Sequence, residues 1–318
     1  MTPQSPSPKG NSVKAPHNLK AIACAVLGFA LFSVNDALVK LLASSGYSIS
    51  QTLFWTAFFV CPVLIGYALM RGGWSRLHSN KWGWHMFRGV LMTALVFCNI
   101  YALIHIKITE FYAVIFTNPL SISLLSWLIL KDKLSKGQLA CIVLGFLAVL
   151  YMCRPGAGMF NMGVLSVFVG TIFFAFATVL VRSRLREESA LLIGLSGPIV
   201  IVLVALPLMA ILGEITLPFS AYDWAIFVVC GITAGFGGVF FGLGFQYASS
   251  AAVVAPFQFT QMIWGGILGY LLFSEIPSQN EVVGSVVIGG LVTYLIYAEA
   301  KARRAGRIGA NSIQHEPV

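Results

Sequence analysis

The segment IFTNPLSISLLSWLILKDKLS, residues 115–135, recurs later in the chain as QFTQMIWGGILGYLLFSEIPS, residues 258–278. A shift of 143 residues aligns the two segments without a gap. The matched pairs include Phe116 with Phe259, Thr117 with Thr260, Asn118 with Gln261, Trp127 with Tyr270, Asp132 with Glu275 and Ser135 with Ser278. Each copy is a long apolar segment followed by an acidic residue, so the sequence predicts two related halves.

The beginnings of the two halves also correspond. With a shift of 142 residues, NDALVK (35–40) lies over ATVLVR (177–182), which pairs Lys40 with Arg182 and Asp36 with Thr178. The carboxylate of Asp36 is therefore not demanded by the fold, whereas a basic residue recurs at the position of Lys40.

The composition predicts a polytopic membrane protein. Of the 318 residues, 58% are hydrophobic and only 10% are charged, whereas soluble domains carry about 25% charged residues. About 20 consecutive apolar residues can cross a bilayer as a helix. The sequence predicts an all-α fold of ten transmembrane helices, near residues 19–41, 50–70, 87–106, 109–130, 137–153, 162–181, 190–212, 224–246, 251–273 and 282–298.

The distribution of lysine and arginine supports this count. If the ten spans alternate in direction, 17 of the 20 basic residues fall on one side of the membrane. Only Lys40, Lys107 and Arg154 fall on the other side. Because cytoplasmic loops are enriched in basic residues, we expect a protein of the inner cell membrane with both termini in the cytoplasm.

Five spans in each half give the halves opposite orientations. We expect a disordered tail (1–18), a first five-helix repeat (19–153), a second, inverted repeat (162–298) and a basic cytoplasmic tail (301–318). Inverted repeats are common in secondary transporters, where two halves of similar energy exchange conformations around a central site. The pattern favours a transporter that works by alternating access.

The ten spans, the duplication, NDALVKLL in the first helix and the repeat ends LKDKLSKGQ and FSEIPSQNE resemble the EamA type of the drug/metabolite transporter superfamily. The resemblance covers about residues 20–298 and implies transport of amino acids, purines, vitamins such as riboflavin, S-adenosylmethionine or metallophores, in either direction. Many relatives have an arginine in the second helix, whereas this chain has Trp55 and Thr56 in QTLFWTAFF (51–59). This departure indicates a substrate different from the anions that such an arginine would serve.

Asp36 and Lys40 are two charged residues near the end of the first predicted span. Ionisable groups at this depth usually face the bundle interior or a water-filled cavity, so Asp36 is a candidate site for a proton or a substrate amine. The alternative is an ion pair with Lys40 within the helix, because residues four apart share a face. Lys40 and Arg182 are candidates for gating or ion pairing, or else they extend to opposite membrane surfaces.

Polar amides in the apolar spans are the other candidates for substrate contacts. Asn118 precedes a proline, and Gln258 and Gln261 lie one turn apart in the ninth span. Such amides line cavities or form interhelical hydrogen bonds. The predicted substrate-binding set is Asp36, Asn99, Tyr101, Asn118, Gln258, Gln261 and Trp264, in a cavity among the first, third, fourth, sixth, eighth and ninth spans.

Glycines in the eighth span follow a four-three-four spacing: Gly231, Gly235, Gly238 and Gly242. Small residues at this spacing let helices approach closely, so we expect a surface for helix packing. Prolines at positions 62, 119, 198, 207 and 256 are predicted kinks.

Several functional classes lack their motifs in this sequence. It has no G-x-x-x-x-G-K-[ST] phosphate loop and no H-E-x-x-H metal motif. Its six cysteines form no C-x-x-C pair, so we expect no metal site, no cofactor and no catalytic residues. The scattered basic residues exclude nucleic acid as a partner. The expected partners are the bilayer and a small metabolite such as an amino acid or a riboflavin-like vitamin, with proton coupling and a monomer or homodimer left open. The alternatives are an accessory membrane subunit, a membrane enzyme or a channel.

Overall fold

The computed structural model describes residues 18–72, 78–131, 136–153, 162–247, 257–258, 260–291, 293–294 and 297, and all regular structure in them is helical. The helices are α1 (Asn18–Ser44), α2 (Ile49–Gly72), α3 (Trp82–His105), α4 (Ile108–Ile115), α5 (Asn118–Leu130), α6 (Lys136–Cys153), α7 (Met162–Arg184), α8 (Ala190–Leu212), α9 (Ala221–Tyr247), α10 (Thr260–Phe273) and α11 (279–291). The tail predictions lie outside the described residues.

Seven helical segments of the described chain are long and apolar enough to cross a membrane. They are α1, α2, α3, the α4–α5 pair, α7, α8 and α9. Many of their large apolar side chains are exposed, including Phe58, Leu128 and Leu203, as expected of surfaces that face lipid tails. The multi-pass class is confirmed, whereas ten spans in two repeats stay a prediction.

A helix break divides the predicted fourth span. Thr117 bonds back to the carbonyl of Val114, in the tighter geometry of a helix end. Pro119 is near the start of α5, where its missing N–H is tolerated. The single predicted span is therefore two helices that meet near Asn118. Pro62 in α2 and Pro198 and Pro207 in α8 are inside continuous helices, and Pro256 lies outside the described residues.

Helices from the first half pack mainly on helices from the second. α1 lies against α9 and α10, α2 against α8 and α9, and α3 against α7 and α8. Glycine makes the α1–α9 contact close, since a Cβ on Gly28 would be 2.8 Å from the backbone nitrogen of Phe241. This interleaving surrounds the centre of the molecule with elements of both halves.

The predicted glycine stripe of α9 divides between two environments. A Cβ on Gly231 would be 2.6 Å from the carbonyl carbon of Phe59, and one on Gly235 would be 2.6 Å from a methyl carbon of Val63. These two glycines contact α2. A Cβ on Gly238 or on Gly242 would have no atom within 4 Å, and both glycines line a cavity instead. The stripe is thus only partly a packing surface, because α9 passes from α2 to the cavity along this face.

We expect Gly231→Ala to destabilise the protein by about 1–3 kcal/mol, because the new methyl would displace the α2 backbone. Gly238→Ala is the matched control in the same helix, and its thermal midpoint should stay unchanged or rise slightly. Thermal unfolding of both variants in one detergent provides the measurement. Equal midpoints for the two variants would contradict the close α2–α9 contact.

Candidate functional site

A cavity of about 990 Å³ lies among α1, α2, α3, α8, α9 and the turn between α7 and α8. In terms of the predicted spans, these are the first, second, third, seventh and eighth. The predicted fourth, sixth and ninth spans are engaged in helix packing. Ser121 of α5 contacts Thr171 of α7, and a Cβ on Gly265 of α10 would be 2.3 Å from the Tyr112 ring of α4. The second and seventh spans replace them in the cavity wall.

One face of α3 extends along the whole cavity. Its lining residues are Arg88, Met92, Val96, Asn99 and Leu103, which recur at three- and four-residue spacing, as one face of a helix requires. Arg88 and Asn99 are separated by three helical turns, or about 16 Å at 1.5 Å per residue. The cavity is therefore elongated, with an amide and a guanidinium far apart on one wall.

Polar groups gather at one end of the cavity, and we call Asn35, Asp36, Thr56 and Asn99 the polar end. Asp36 Oδ2 accepts a hydrogen bond of 2.8 Å from the hydroxyl of Tyr112. The side-chain oxygens of Asn35, Thr56 and Asn99 are buried and have no partner among the described residues. All four side chains are only partly buried and line the cavity, so the polar end is suited to a polar ligand or water.

Lys40 does not pair with Asp36 and does not reach the surface. Its side chain is buried, and Nζ lies 2.5 Å from Oε1 of Glu275 and 2.6 Å from the carbonyl oxygen of Ile106. The ammonium also lies 5.2 Å from the ring centroid of Phe273. Both alternatives expected for Lys40 are thus replaced by a buried ion pair between α1 and the segment after α10. In the part of the chain that is described, no basic group lies within ion-pair distance of Asp36.

Glu281 stabilises the end of the molecule at which Lys40 pairs with Glu275, which we call the closed end. Its carboxylate accepts hydrogen bonds of 2.6 Å from the hydroxyls of Thr109 and Ser278. The ammonium of Lys107 lies 3.9 Å away and donates to the carbonyl of Ile276. The turn between α3 and α4 is thereby tied to the segment between α10 and α11.

A second set of bonds joins the α1–α2 turn to the α8–α9 loop. The carboxylate of Glu214 accepts from the hydroxyls of Ser48 and Ser50, and the Gln51 amide donates to its carbonyl at 2.9 Å. Tyr47 stacks on Phe219 with ring centroids 4.7 Å apart. Burial raises the pKa of Tyr47, which keeps its phenol protonated. Both connections join the first half to the second and close this end.

The opposite end of the cavity opens to the surface. Glu187, which lines it, has a side chain that is 88% exposed. Arg88 lies near this end and donates from Nη1 to the carbonyl of Ile193 at 2.7 Å. Its Nε is buried without an acceptor, and no carboxylate of the described residues forms an ion pair with it. The open end thus presents a partly buried, uncompensated cation.

The structure brings Asp36 and Asn99 together at the polar end and places the other predicted residues elsewhere. None of Lys40, Tyr101, Asn118, Gln258, Gln261 and Trp264 lines the cavity. Tyr101 stacks on His105 with centroids 4.2 Å apart, and Trp264 is 37% exposed. Gln261 is buried in α10, and the amide oxygen of Asn118 is buried without a partner. The side chain of Arg182 lies outside the described residues.

Arg88, Asn35 and Glu275 are the important residues that the sequence analysis missed. The predicted third span begins at residue 87, so Arg88 is expected at its cytoplasmic edge, whereas α3 begins at Trp82 and places Arg88 within the helix. Its spacing of eleven residues from Asn99 was the available signal, because that spacing places both on one helical face. For the bond between Lys40 and Glu275, the sequence held no signal beyond the opposite charges.

We expect Lys40→Met and Glu275→Gln each to lower the thermal midpoint strongly. Each leaves one member of a buried ion pair unpaired, a change that typically costs about 3–5 kcal/mol. The double variant should be more stable than the sum of the single effects predicts, because neither charge then remains.

Lys107→Met is the matched control for this thermal unfolding series. Its ammonium is 41% exposed and 3.9 Å from Glu281, whose carboxylate keeps its hydrogen bonds from Thr109 and Ser278, so its loss should cost clearly less than that of Lys40. An effect of Lys40→Met as small as that of Lys107→Met would contradict the importance of the buried pair.

Comparison with known proteins identifies the kind of molecule to which this geometry belongs. The model of the EamA-like transporter family matches residues 19–154 and 161–297. The S-adenosylmethionine uptake transporter of Rickettsia prowazekii is 26% identical over 284 residues, which are 89% of this chain and 95% of that protein. The pseudopaline exporter of Pseudomonas aeruginosa is 26% identical over 272 residues, 84% of this chain and 92% of the exporter.

A riboflavin transporter of Brucella anthropi is also 26% identical, over 256 residues that cover 79% of this chain and 89% of the relative. A solved crystal structure shares the fold with a TM-score of 0.60 at 19% identity, and it covers 87% of this chain and 98% of the other. All three named relatives are transporters of small molecules and none is named as an enzyme. The chain belongs to the EamA-like transporter family and is a multi-pass membrane protein.

Proposed function

We propose that this protein is a secondary transporter of a small metabolite in the inner cell membrane, with ten spans, both termini in the cytoplasm and an alternating-access mechanism. The observation that carries the proposal is a cavity that is lined by Asn35, Asp36, Thr56 and Asn99 at its closed end and reaches the exposed Glu187 at its open end. Its volume is within the range of metabolite sites, about 300–1,000 Å³. The two family matches, one per proposed repeat, also support it.

The state in this structure corresponds to a cavity open on the side richer in basic residues, which the charge bias assigns to the cytoplasm. The buried ion pair of Lys40 and Glu275 holds the cavity closed on the opposite side of the membrane. If this ion pair breaks and the cavity closes near Arg88 and Glu187, the polar end becomes accessible from the outside. The substrate classes to test first are amino acids and riboflavin-like vitamins, together with S-adenosylmethionine because of the named relatives.

Reconstitution into liposomes tests the proposal. A thermal-shift screen of purified protein against a metabolite library identifies ligands, because a ligand that binds the folded state raises its apparent midpoint. Each labelled hit is then offered to proteoliposomes loaded with the unlabelled compound. A transporter shows saturable uptake with counter-exchange. Linear flux without counter-exchange would indicate a channel, and no flux for any bound compound would overturn the proposed function.

Asp36 is proposed as the site that links transport to protons. Its partner Tyr112 is a neutral donor, so the carboxyl can gain or lose a proton without breaking an ion pair. Lys40, the nearest basic residue on α1, is occupied by Glu275.

We expect Asp36→Asn to abolish uptake driven by a proton gradient and to leave counter-exchange of the same substrate measurable. Exchange needs no net proton movement, whereas accumulation does. Tyr112→Phe is the control, since it removes the hydrogen bond but keeps the carboxyl group, and it should retain gradient-driven uptake. Full gradient-driven accumulation by Asp36→Asn would refute a proton-carrying role.

A further inference from the structure

The cavity has opposite chemical character at its two ends. At the closed end, Asp36 has no basic partner among the described residues, and the amide oxygens of Asn35 and Asn99 lack donors. Asp36 lines the cavity and carries the acceptor without a counter-charge in the described part of the chain, so this end favours a cationic or hydrogen-bond-donating group. At the open end, no carboxylate of the described residues pairs with the guanidinium of Arg88. Its Nη1 donates to the carbonyl of Ile193 and to the hydroxyl of Ser196 in α8.

Between these ends the wall is apolar. Met92 and Val96 lie between Arg88 and Asn99 on the same face of α3, and Ile201 of α8 also lines the cavity. The two polar positions are about 16 Å apart along the helix axis. Because each end of a ligand lies one hydrogen-bond length, about 3 Å, from its partner, the ligand itself has to span about 10–15 Å. A small free amino acid, whose ammonium and carboxylate share one carbon, cannot reach both ends.

We propose that the substrate is an elongated amphoteric molecule with a cationic or donor group at the polar end and an oxyanion at Arg88. This inference rests on the proposed function. The oxyanion pairs with the guanidinium of Arg88, to which no carboxylate of the described residues is bound, and such charge-assisted bonds are the strong ones. The apolar middle of the ligand lies against Met92 and Val96. Arg88 is thus the residue that selects for a terminal anion. Arg88 of α3 gives the cavity a cation although the second helix lacks one, so the non-anionic substrate expected from Trp55 and Thr56 is replaced in this proposal by one with an anionic end.

A homologous series of straight-chain ω-amino acids tests this geometry, since each has an ammonium, an apolar chain and a carboxylate. Binding to the purified full chain is measured by thermal shift and by calorimetry. Affinity should be undetectable for glycine, rise with length and be greatest for chains of about eight to eleven carbons. The matching ω-amino amide lacks the anion and should bind about 10–100-fold more weakly, since bonds to charged groups are worth about 1.5–3 kcal/mol.

Arg88→Gln should lower the affinity for the acid to about that of the amide and so abolish the difference between them, and its cooperative thermal unfolding shows that the variant is folded. Ser196→Ala, which removes only one anchor of the guanidinium, should keep most of the difference. An ω-amino phosphonate of the best length separates a carboxylate preference from a phosphate preference. Binding that is independent of chain length, or an acid–amide difference that persists in Arg88→Gln, overturns the inference.

The wild-type length series decides the question even when Arg88→Gln cannot be purified. The outcome is also separable from that of the proposed function. Saturable counter-exchange of a library compound that has no terminal anion would sustain transport and refute the bipolar site. Loss of all counter-exchange would refute transport, whatever the binding series shows.

Discussion

The closed end of the molecule depends on one carboxylate. Glu275 accepts from the ammonium of Lys40 through one oxygen and from the backbone N–H of Ile108 through the other, at 2.5 and 2.9 Å. Ile108 is the first residue of α4, so the carboxylate satisfies an otherwise unpaired N–H and lies at the positive end of the helix dipole. Lys40 adds a bond to Ile106 at the end of α3. One acid and one base thereby hold four segments together where isolated charges would be costly.

This arrangement joins the closed end to the polar end of the cavity. Tyr112, which donates to Asp36, lies in α4, one turn beyond Ile108. Its ring fills the space left by Gly265 of α10, and Glu275 similarly lies against Gly269. Helices α4 and α10 are thus packed through glycines, and Glu275 caps both: its carboxylate accepts from the first N–H of α4, and its backbone N–H donates to the carbonyl of Gly269 in α10. Movement of Tyr112 relative to Asp36 would displace α10 as well, because packed interiors have no free volume in which the ring could shift alone.

The class of fold could be predicted because it depends on the lengths of apolar segments and on the positions of basic residues, which can be read directly from a sequence. The length of apolar segments and the bias of basic residues indicated a multi-pass membrane protein, and the repeat-end motifs pointed to the family. The position of Asp36 in the cavity also followed from the cost of placing a charge at membrane depth. The break at Thr117 was anticipated only as a kink at Pro119, because the sequence does not reveal whether a helix bends or stops.

The residues that line the cavity were harder to predict, because they depend on how each helix is rotated about its axis and on which helix faces pack together. Gln261 and Asn99 are both amides in apolar segments, yet α10 buries the first while α3 presents the second to the cavity. Nothing in the sequence of either helix distinguishes them. Lys40 illustrates the same limit: its partner is 235 residues away, and only tertiary structure brings Glu275 to it.

This protein has paired charges at its closed end and unpaired charges in its cavity, and the two arrangements have different consequences. At the closed end, Lys40 and Glu275 neutralise each other, so this end can be dry and stable without any ligand. In the cavity, Asp36 and Arg88 have no opposite charge near them among the described residues. A compensated pair contributes to a resting state, whereas uncompensated groups make the cavity's energy depend on what enters it. This is the property that a carrier requires, because a ligand shifts a conformational equilibrium only by the difference in its affinity for the two states.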